Sequence, residues 1–244
     1  MSNPVMAKVM DERAQGVYMG GVPMTVQGTI NKLFLMFALL SVSFGVVFYQ
    51  YMLGYMDKVM LMTAIGGIAG FVLAMIITFS RRALGVMVPI YAFCEGMALG
   101  GISAMFNAQM PGIVPQAVAL TFLALFSMLV LFKTGLIRAT EKFRAVILTA
   151  TVAICVFYLI SIVLGFFRIQ VPMLYSSDAV GIGFSVVVCA VAALNLILDF
   201  DFIERGAMTG FDKTYEWYGA FGLMVTLVWL YIEILKLLAK LNKR

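Results

Sequence analysis

The chain has 244 residues, of which 63% are hydrophobic and 12% are charged, and its formal net charge is +5. A soluble domain carries about 45–50% apolar and about 25% charged residues, so this composition excludes a soluble globular protein and predicts an integral membrane protein. The sequence contains no histidine, which excludes a Ser-His-Asp triad and a histidine-ligated metal site.

The first 30 residues are polar and lack the apolar stretch of a cleavable signal peptide. We therefore predict a polar arm on the cytoplasmic side over residues 1–30, followed by a transmembrane domain over residues 31–244. Without a presequence, the first transmembrane helix is expected to direct insertion into the membrane.

Seven apolar runs follow, and each is close to the roughly 20 residues that a helix needs to cross a bilayer. They lie at residues 32–53, 58–79, 84–106, 113–133, 145–167, 179–200 and 218–240. The breaks between them carry charges, prolines or glycines, and no connection is long enough for a second domain. The sequence thus predicts an all-α polytopic membrane protein with a bundle of seven transmembrane helices.

Lysine and arginine near the predicted spans indicate the orientation, because cytoplasmic loops carry an excess of them. The amino-terminal side holds 11 such residues, whereas the loops on the opposite side hold only Lys58 and Arg168. This places the amino terminus in the cytoplasm. The tail, residues 236–244, carries four more basic residues, which leaves two alternatives. We favour a full seventh span with the tail outside over a re-entrant segment with the tail inside.

Small residues recur at helical spacing, with Gly66 and Gly70 in the second run and Gly96 and Gly100 in the third. Such spacing predicts close helix–helix packing in lipid. The three cysteines all lie inside apolar runs, so neither a disulfide framework nor a zinc site is indicated. No pattern of interleaved aromatic and basic residues indicates nucleic-acid binding. Hydrolase and nucleotide-binding motifs are also missing, so we expect that the protein is not an enzyme and has no cofactor.

Three carboxylates lie in or next to the apolar runs, namely Glu95, Asp199 and Glu233. An ionisable side chain is costly in hydrocarbon and usually faces the protein interior or a water-filled cavity. For Glu95 two interpretations stay open, a pore or ion site and a protonated acid hydrogen-bonded to a neighbouring helix. For Glu233 the alternatives are a local pair with Lys236 and a carboxylate directed at another helix.

Asp199 and Asp201 are two residues apart, so on a helix their side chains point about 200° away from each other. Only one of them can face the interior of the bundle. Asp201 has Arg205 four residues later, a spacing that favours a solvated pair on the cytoplasmic surface. Asp199 directly follows an apolar triplet and is the better interior candidate.

Four stretches together resemble the Bax inhibitor-1 family of transmembrane proteins, and in particular its bacterial branch. They are MTVQGTINKLFLM, PIYAFCEGMALGGIS, LILDFDFIERG and EWYGAFGLMVTLVWLYIEILKLL. The resemblance implies a seven-helix bundle in which six helices surround the last one. It also implies an acid from the sixth helix and an acid from the seventh that hydrogen-bond to each other. By position in these stretches the two acids are Asp199 and Glu233.

In this family such a pair is associated with pH-dependent calcium leak, so the resemblance implies a calcium leak channel gated by Asp199 and Glu233. Ionised, the two acids would serve as transient ligands for calcium, the expected permeant ion, because hard cations prefer oxygen. Asp201, Glu216 and Glu95 are secondary candidates for the gate or the pore.

The alternative function is a membrane-embedded modulator of a quality-control protease or another membrane partner, without conduction. Its natural contact would be the polar arm. In both cases the lipid bilayer is the surrounding medium, and the expected location is the bacterial inner membrane.

Helix arithmetic leaves a second pairing open. At 1.5 Å per residue, Asp199 lies about 9 Å from the cytoplasmic end of its predicted helix, whereas Glu233 lies about 27 Å from the start of the last helix. Because these depths differ, Glu216 is an alternative partner for Asp199 near the cytoplasmic face.

Overall fold

The computed structural model describes residues 22–80, 83–169 and 171–243. They form seven helices that are long and apolar enough to cross a membrane, which confirms the predicted all-α fold with seven spans. The helices are α1 (Val26–Met52), α2 (Met56–Phe79), α3 (Leu84–Gln109), α4 (Ile113–Lys133), α5 (Glu141–Phe166), α6 (Ala179–Thr209) and α7 (Tyr215–Asn242). A single helical turn, Pro172–Tyr175, lies between α5 and α6.

Several helices extend beyond the apolar runs that predicted them, because polar residues cap and continue them outside the hydrocarbon. Thr25 caps α1 by accepting a hydrogen bond from the Gly28 amide, and Thr140 caps α5 in the same way. The largest difference is in α6, which continues to Thr209 rather than ending near residue 200. Most of the predicted polar arm, residues 1–21, lies outside the described residues, as do Arg81 and Arg82.

The last helix, α7, lies at the centre of the bundle and packs against α1, α3, α4 and α6. In the most apolar stretch of α7, 61% of the residues are buried, whereas in that of α5 only 6% are buried. The predicted central position of the last helix is therefore confirmed. Two helices lie further out, since α2 packs mainly on α3 and α5 packs mainly on α6.

Contacts at its two ends show that α7 runs the full length of the bundle. Glu216, in its first turn, contacts Thr25 at the start of α1. Lys240, near its other end, donates a hydrogen bond to the Gly181 carbonyl at the start of α6. We call these the near end and the far end. The full span that we favoured matches this geometry, and a re-entrant seventh segment does not.

Close packing around α3 depends on glycines, as the small-residue spacing predicts. A β-carbon at Gly66 of α2 would lie 2.6 Å from the Cys94 carbonyl oxygen of α3. A β-carbon at Gly100 would lie 2.9 Å from the Phe44 carbonyl oxygen of α1. Neither position has room for a larger side chain, so these glycines bring backbones together.

Candidate functional site

Asp199 lies at the seam between α6 and the central helix α7. A β-carbon at Gly222 of α7 would lie 3.5 Å from its Oδ1 atom, in van der Waals contact, so the carboxylate faces α7 at this glycine. Thr226, one turn further along α7, is its hydrogen-bonding neighbour. The other oxygen, Oδ2, is buried without a hydrogen-bond partner among the described residues. We call Asp199, Gly222 and Thr226 the Asp199 seam.

The Thr226 hydroxyl can serve Asp199 in either protonation state. Its oxygen lies 3.2 Å from the Gly222 carbonyl oxygen, which can accept its proton. In that arrangement the hydroxyl oxygen accepts a hydrogen bond from a protonated Asp199. If Asp199 is ionised, the hydroxyl can turn and donate to the carboxylate instead. The seam therefore offers Asp199 one hydroxyl partner in either protonation state.

Glu233 belongs to a different cluster, which joins α7 to α5. Its carboxylate is buried, and Oε1 accepts hydrogen bonds from the Tyr158 hydroxyl at 2.9 Å and from Lys236 Nζ at 2.6 Å. Lys236 Nζ also lies 4.6 Å from the centre of the Tyr158 ring. The local pair with Lys236, one of the two alternatives for Glu233, is present, and Tyr158 adds a contact between helices. We call these three residues the Tyr158 cluster.

The expected hydrogen-bonded pair of Asp199 and Glu233 is not formed between these two described residues, and this prediction needs correction. Asp199 contacts α7 at Gly222 and Thr226, which precede Glu233 by eleven and seven residues. At 1.5 Å per residue the offset is about 10–16 Å along the helix axis. The physical reason is the difference in depth that helix arithmetic indicates. Hence the two carboxylates lie in separate contacts along α7.

Asp201 faces the opposite way and forms two ion pairs. Its Oδ1 accepts from Arg205 Nε at 2.8 Å, which is the predicted pair four residues apart. Its Oδ2 pairs with Arg144 of α5. We expected Asp201 to be solvated, and this prediction is wrong because the residue is buried. Arg144 of α5 covers it. We call these three residues the Asp201 cluster.

Glu216 connects the near ends of α7 and α1. Its Oε1 accepts hydrogen bonds from the amide and the hydroxyl of Thr25, both at 2.9 Å, and Oε2 pairs with Lys32. A β-carbon at Gly28 would collide with this carboxylate. Glu216 is therefore occupied by α1 and is not the partner of Asp199, contrary to the second pairing considered.

Glu95 lies at the contact of α3 with α2. A β-carbon at Gly70 of α2 would be 3.0 Å from its Oε2 atom, and Tyr91, one turn earlier on α3, is its hydrogen-bond partner. The Tyr91 ring in turn meets the Phe221 ring of α7 edge to face, with centroids 5.0 Å apart. The hydrogen bond of Glu95 to Tyr91 is thus local to α3 and is not made to a neighbouring helix.

Sequence reasoning missed two partners of the candidate acids, Arg144 and Tyr158. Arg144 is 57 residues from Asp201 along the chain, so no local spacing connects them. A tyrosine within an apolar run is a usable signal for Tyr158, because a buried phenol needs a hydrogen-bond partner. Across the described residues, no group of three or more acidic, cysteine or histidine side chains is placed to hold a metal ion together.

Comparison with known proteins supports the resemblance drawn from the four sequence stretches. A family model described as Bax inhibitor 1 like matches residues 3–243, which is nearly the whole chain. A search among curated proteins finds no match.

Proposed function

Since the chain belongs to the Bax inhibitor 1 like family, we propose that it is a pH-sensitive calcium leak channel in which Asp199 is the gating acid. The observation that carries the proposal is the buried Oδ2 atom of Asp199, which has no partner among the described residues. An unsatisfied buried polar atom costs about 1–3 kcal/mol. Because nearly all buried polar groups in folded proteins are hydrogen-bonded, this exception calls for an explanation, and a functional role supplies one.

The proposed gate uses the different costs of the two protonation states of Asp199. A protonated Asp199 is neutral and can donate to Thr226, which keeps the seam between α6 and α7 closed. An ionised Asp199 is an unpaired charge at a buried seam, and such a charge costs several kcal/mol unless it is compensated. Water or a cation entering the seam compensates it. Ionisation therefore favours an open seam, and calcium flux should rise with pH.

Calcium is the proposed permeant ion because a hard cation binds oxygen ligands. The Asp199 seam offers the carboxylate, the Thr226 hydroxyl and the Gly222 carbonyl in one place. In this proposal Glu233, Asp201 and Glu216 do not gate. Each forms an ion pair with a lysine or arginine side chain and thereby stabilises the bundle. We further propose that the protein acts in the bacterial inner membrane, with its amino terminus in the cytoplasm.

Reconstitution into liposomes that contain a calcium-sensitive dye tests the proposal. With the wild-type protein, calcium entry should increase between about pH 6 and about pH 8, the range in which buried carboxyl groups can ionise. Asp199→Asn cannot ionise and should remove this pH dependence. Thr226→Val, which deletes the neighbouring hydroxyl at nearly constant volume, should shift the dependence along the pH axis.

Thr63→Val is the matched control for Thr226→Val. Its hydroxyl also donates to a carbonyl of its own helix, that of Val59 at 2.6 Å, but it lies on α2, which does not form the Asp199 seam. This variant should behave as wild type. Calcium entry equal to that of empty liposomes at every pH would refute the channel. An unchanged pH dependence in Asp199→Asn would refute the gating acid while leaving conduction intact.

A further inference from the structure

A narrow cleft separates α1 from α4 and extends inward to the central helix. Its volume is about 290 Å³. Its floor is formed by α7 residues at helical spacing, and its walls come mainly from α1 and α4. Its lining includes Phe37 and Ser41 of α1, Val118, Thr121 and Phe122 of α4, and Tyr231 of α7.

The cleft exists because α1 and α4 each pack on α7 and not closely on each other within the described residues. The rings of Phe37 and Phe122 bridge the two helices, with centroids 6.1 Å apart. Beside this aromatic contact, the gap between α1 and α4 exposes the surface of α7. The opening is therefore a property of the helix arrangement and not of one small side chain.

The surface of the cleft is apolar and offers little to a polar ligand. None of the described residues that line it is charged. The Thr121 hydroxyl is bonded to the Ala117 carbonyl at 2.8 Å, and the Tyr231 hydroxyl to Ser103 at 2.7 Å. These two hydroxyls are engaged, which leaves Ser41 as the remaining hydroxyl of the lining. A buried water needs two to four polar partners, more than Ser41 alone supplies. The chemistry of the cleft selects a hydrocarbon.

We propose that this cleft binds one acyl chain of a phospholipid from the surrounding bilayer. The rim residues Val118 and Phe122 are 38% and 54% exposed, so the cleft is continuous with the lipid-facing surface of α4. An apolar cavity of about 150 Å³ is large enough to bind benzene, so about twice that volume holds a segment of a chain. An empty cleft would forfeit the dispersion contacts of its lining.

The bound chain would supply packing that α7 lacks between α1 and α4. Tyr231, on the cleft side of α7, is reached by the chain, whereas Thr226 on the same helix faces Asp199 and α6. The lipid site and the Asp199 seam therefore lie on different faces of α7. The inference goes beyond the proposed channel function and does not depend on it.

The experiment measures phospholipid that stays bound after purification in detergent, by native mass spectrometry. Ser41→Trp places an indole in the cleft from the α1 wall and should remove most of the bound lipid. Val42→Trp is its matched control, because the next residue is 61% exposed and does not line the cleft. The wild type and this control should each retain one phospholipid.

A second pair of variants tests the other wall, so that a folding defect in one variant does not decide the result. Val118→Trp should also remove bound lipid, whereas Leu123→Trp, on α4 but outside the cleft, should keep it. The proposal is overturned if the wild type carries no phospholipid, or if both cleft variants retain as much as their controls. Because the readout is bound lipid, it is separate from any result on calcium flux.

Discussion

Two regions of α6 use the same residue type in opposite ways, although they are only two positions apart. In the Asp201 cluster the carboxylate is paired with two arginines, one on its own helix and one on α5. In the Asp199 seam the carboxylate faces a glycine and a threonine, and one of its oxygens has no partner in the described part of the chain. The helix is the same, so the facing helix decides what each aspartate does.

Under the proposed function, this difference separates a charge that holds helices together from a charge that gates. Helices in lipid gain no hydrophobic driving force from packing together, so polar contacts between them carry more weight. In the Asp201 cluster one carboxylate oxygen pairs with Arg144 of α5 and the other with Arg205 of its own helix. Only 6% of the most apolar stretch of α5 is buried, so this polar contact contributes to its attachment. The Asp199 seam lies against the well-packed α7 and is not needed for attachment. Its carboxylate is thus available for a change of protonation.

Asp201→Asn should produce the largest loss of stability. It removes the charge opposite Arg144 and Arg205 and leaves two cations without their counterion. Breaking a buried ion pair in this way costs about 3–5 kcal/mol. Unfolding in mixed micelles with increasing denaturing detergent measures the change in free energy.

Asp199→Asn is the matched control, since it removes the same charge from the same helix without breaking an ion pair. We expect it to change the free energy of unfolding by less than about 1 kcal/mol. A second comparison is Glu204→Gln, which breaks the more exposed contact with Lys133 at 3.8 Å and should cost at most about 1 kcal/mol. Equal losses for Asp201→Asn and Asp199→Asn would contradict the distinction between the two regions.

Tyr158→Phe should have an intermediate effect, because the Tyr158 cluster is a second polar attachment of α5. The substitution keeps the ring and removes the hydroxyl that donates to Glu233 at 2.9 Å. Hydrogen bonds between transmembrane helices contribute about 0.6 kcal/mol on average and up to about 1.7 kcal/mol. A charged acceptor places this one toward the upper value.

The same unfolding assay measures the effect of Tyr158→Phe, with Tyr49→Phe as the control on an exposed face of α1. A loss no larger than that of the control would show that α5 is held by packing after all. Combining Tyr158→Phe with Asp201→Asn asks whether the two attachments act independently. Additive losses are expected if they do.

The sequence predicts the helices well because apolar length alone determines which segments can span a bilayer. It predicts the Asp201–Arg205 pair because both residues lie on one helix, four positions apart. The sequence does not predict the contacts between helices in the same way. Arg144 reaches Asp201, and Tyr158 reaches Glu233, only because α5 lies beside α6 and α7. No spacing within one helix encodes that arrangement.

The partner of Asp199 illustrates the limit of a family resemblance. Motif positions identify Asp199 and Glu233 as the two acids, but their depths depend on where α6 ends and α7 begins. Here α6 continues to Thr209 and α7 starts at Tyr215, so the depths do not coincide. The arithmetic on helix length detects this mismatch from the sequence. It does not reveal that Gly222 and Thr226 are the residues opposite Asp199.

The smallest effect concerns a third aspartate, Asp178, which caps the far end of α6 outside the span. Hydrogen bonds from the Ser176 hydroxyl at 2.6 Å and the Gly181 amide at 2.7 Å lower the pKa of this carboxyl below its ordinary value. A lowered pKa in the folded protein means that the cap stabilises α6 at pH values above the ordinary pKa, near about 4. This contribution is lost as the pH falls through the lowered value.

Asp178→Asn separates this acid sensitivity from the cap itself, since asparagine caps helices about as well as aspartate but does not ionise. In the wild type, the ratio of the observed to the intrinsic amide exchange rate at the start of α6 should increase at acidic pH. In the variant this ratio should not change with pH. Identical pH profiles would show that the Asp178 charge does not contribute to the cap. Because Asp178 is exposed, its protonation needs no opening of the bundle, whereas protonation changes at Asp199 occur at a buried seam. The two sites should therefore differ in how their acid response depends on the packing of α7, and Thr226→Val should change only the response at Asp199.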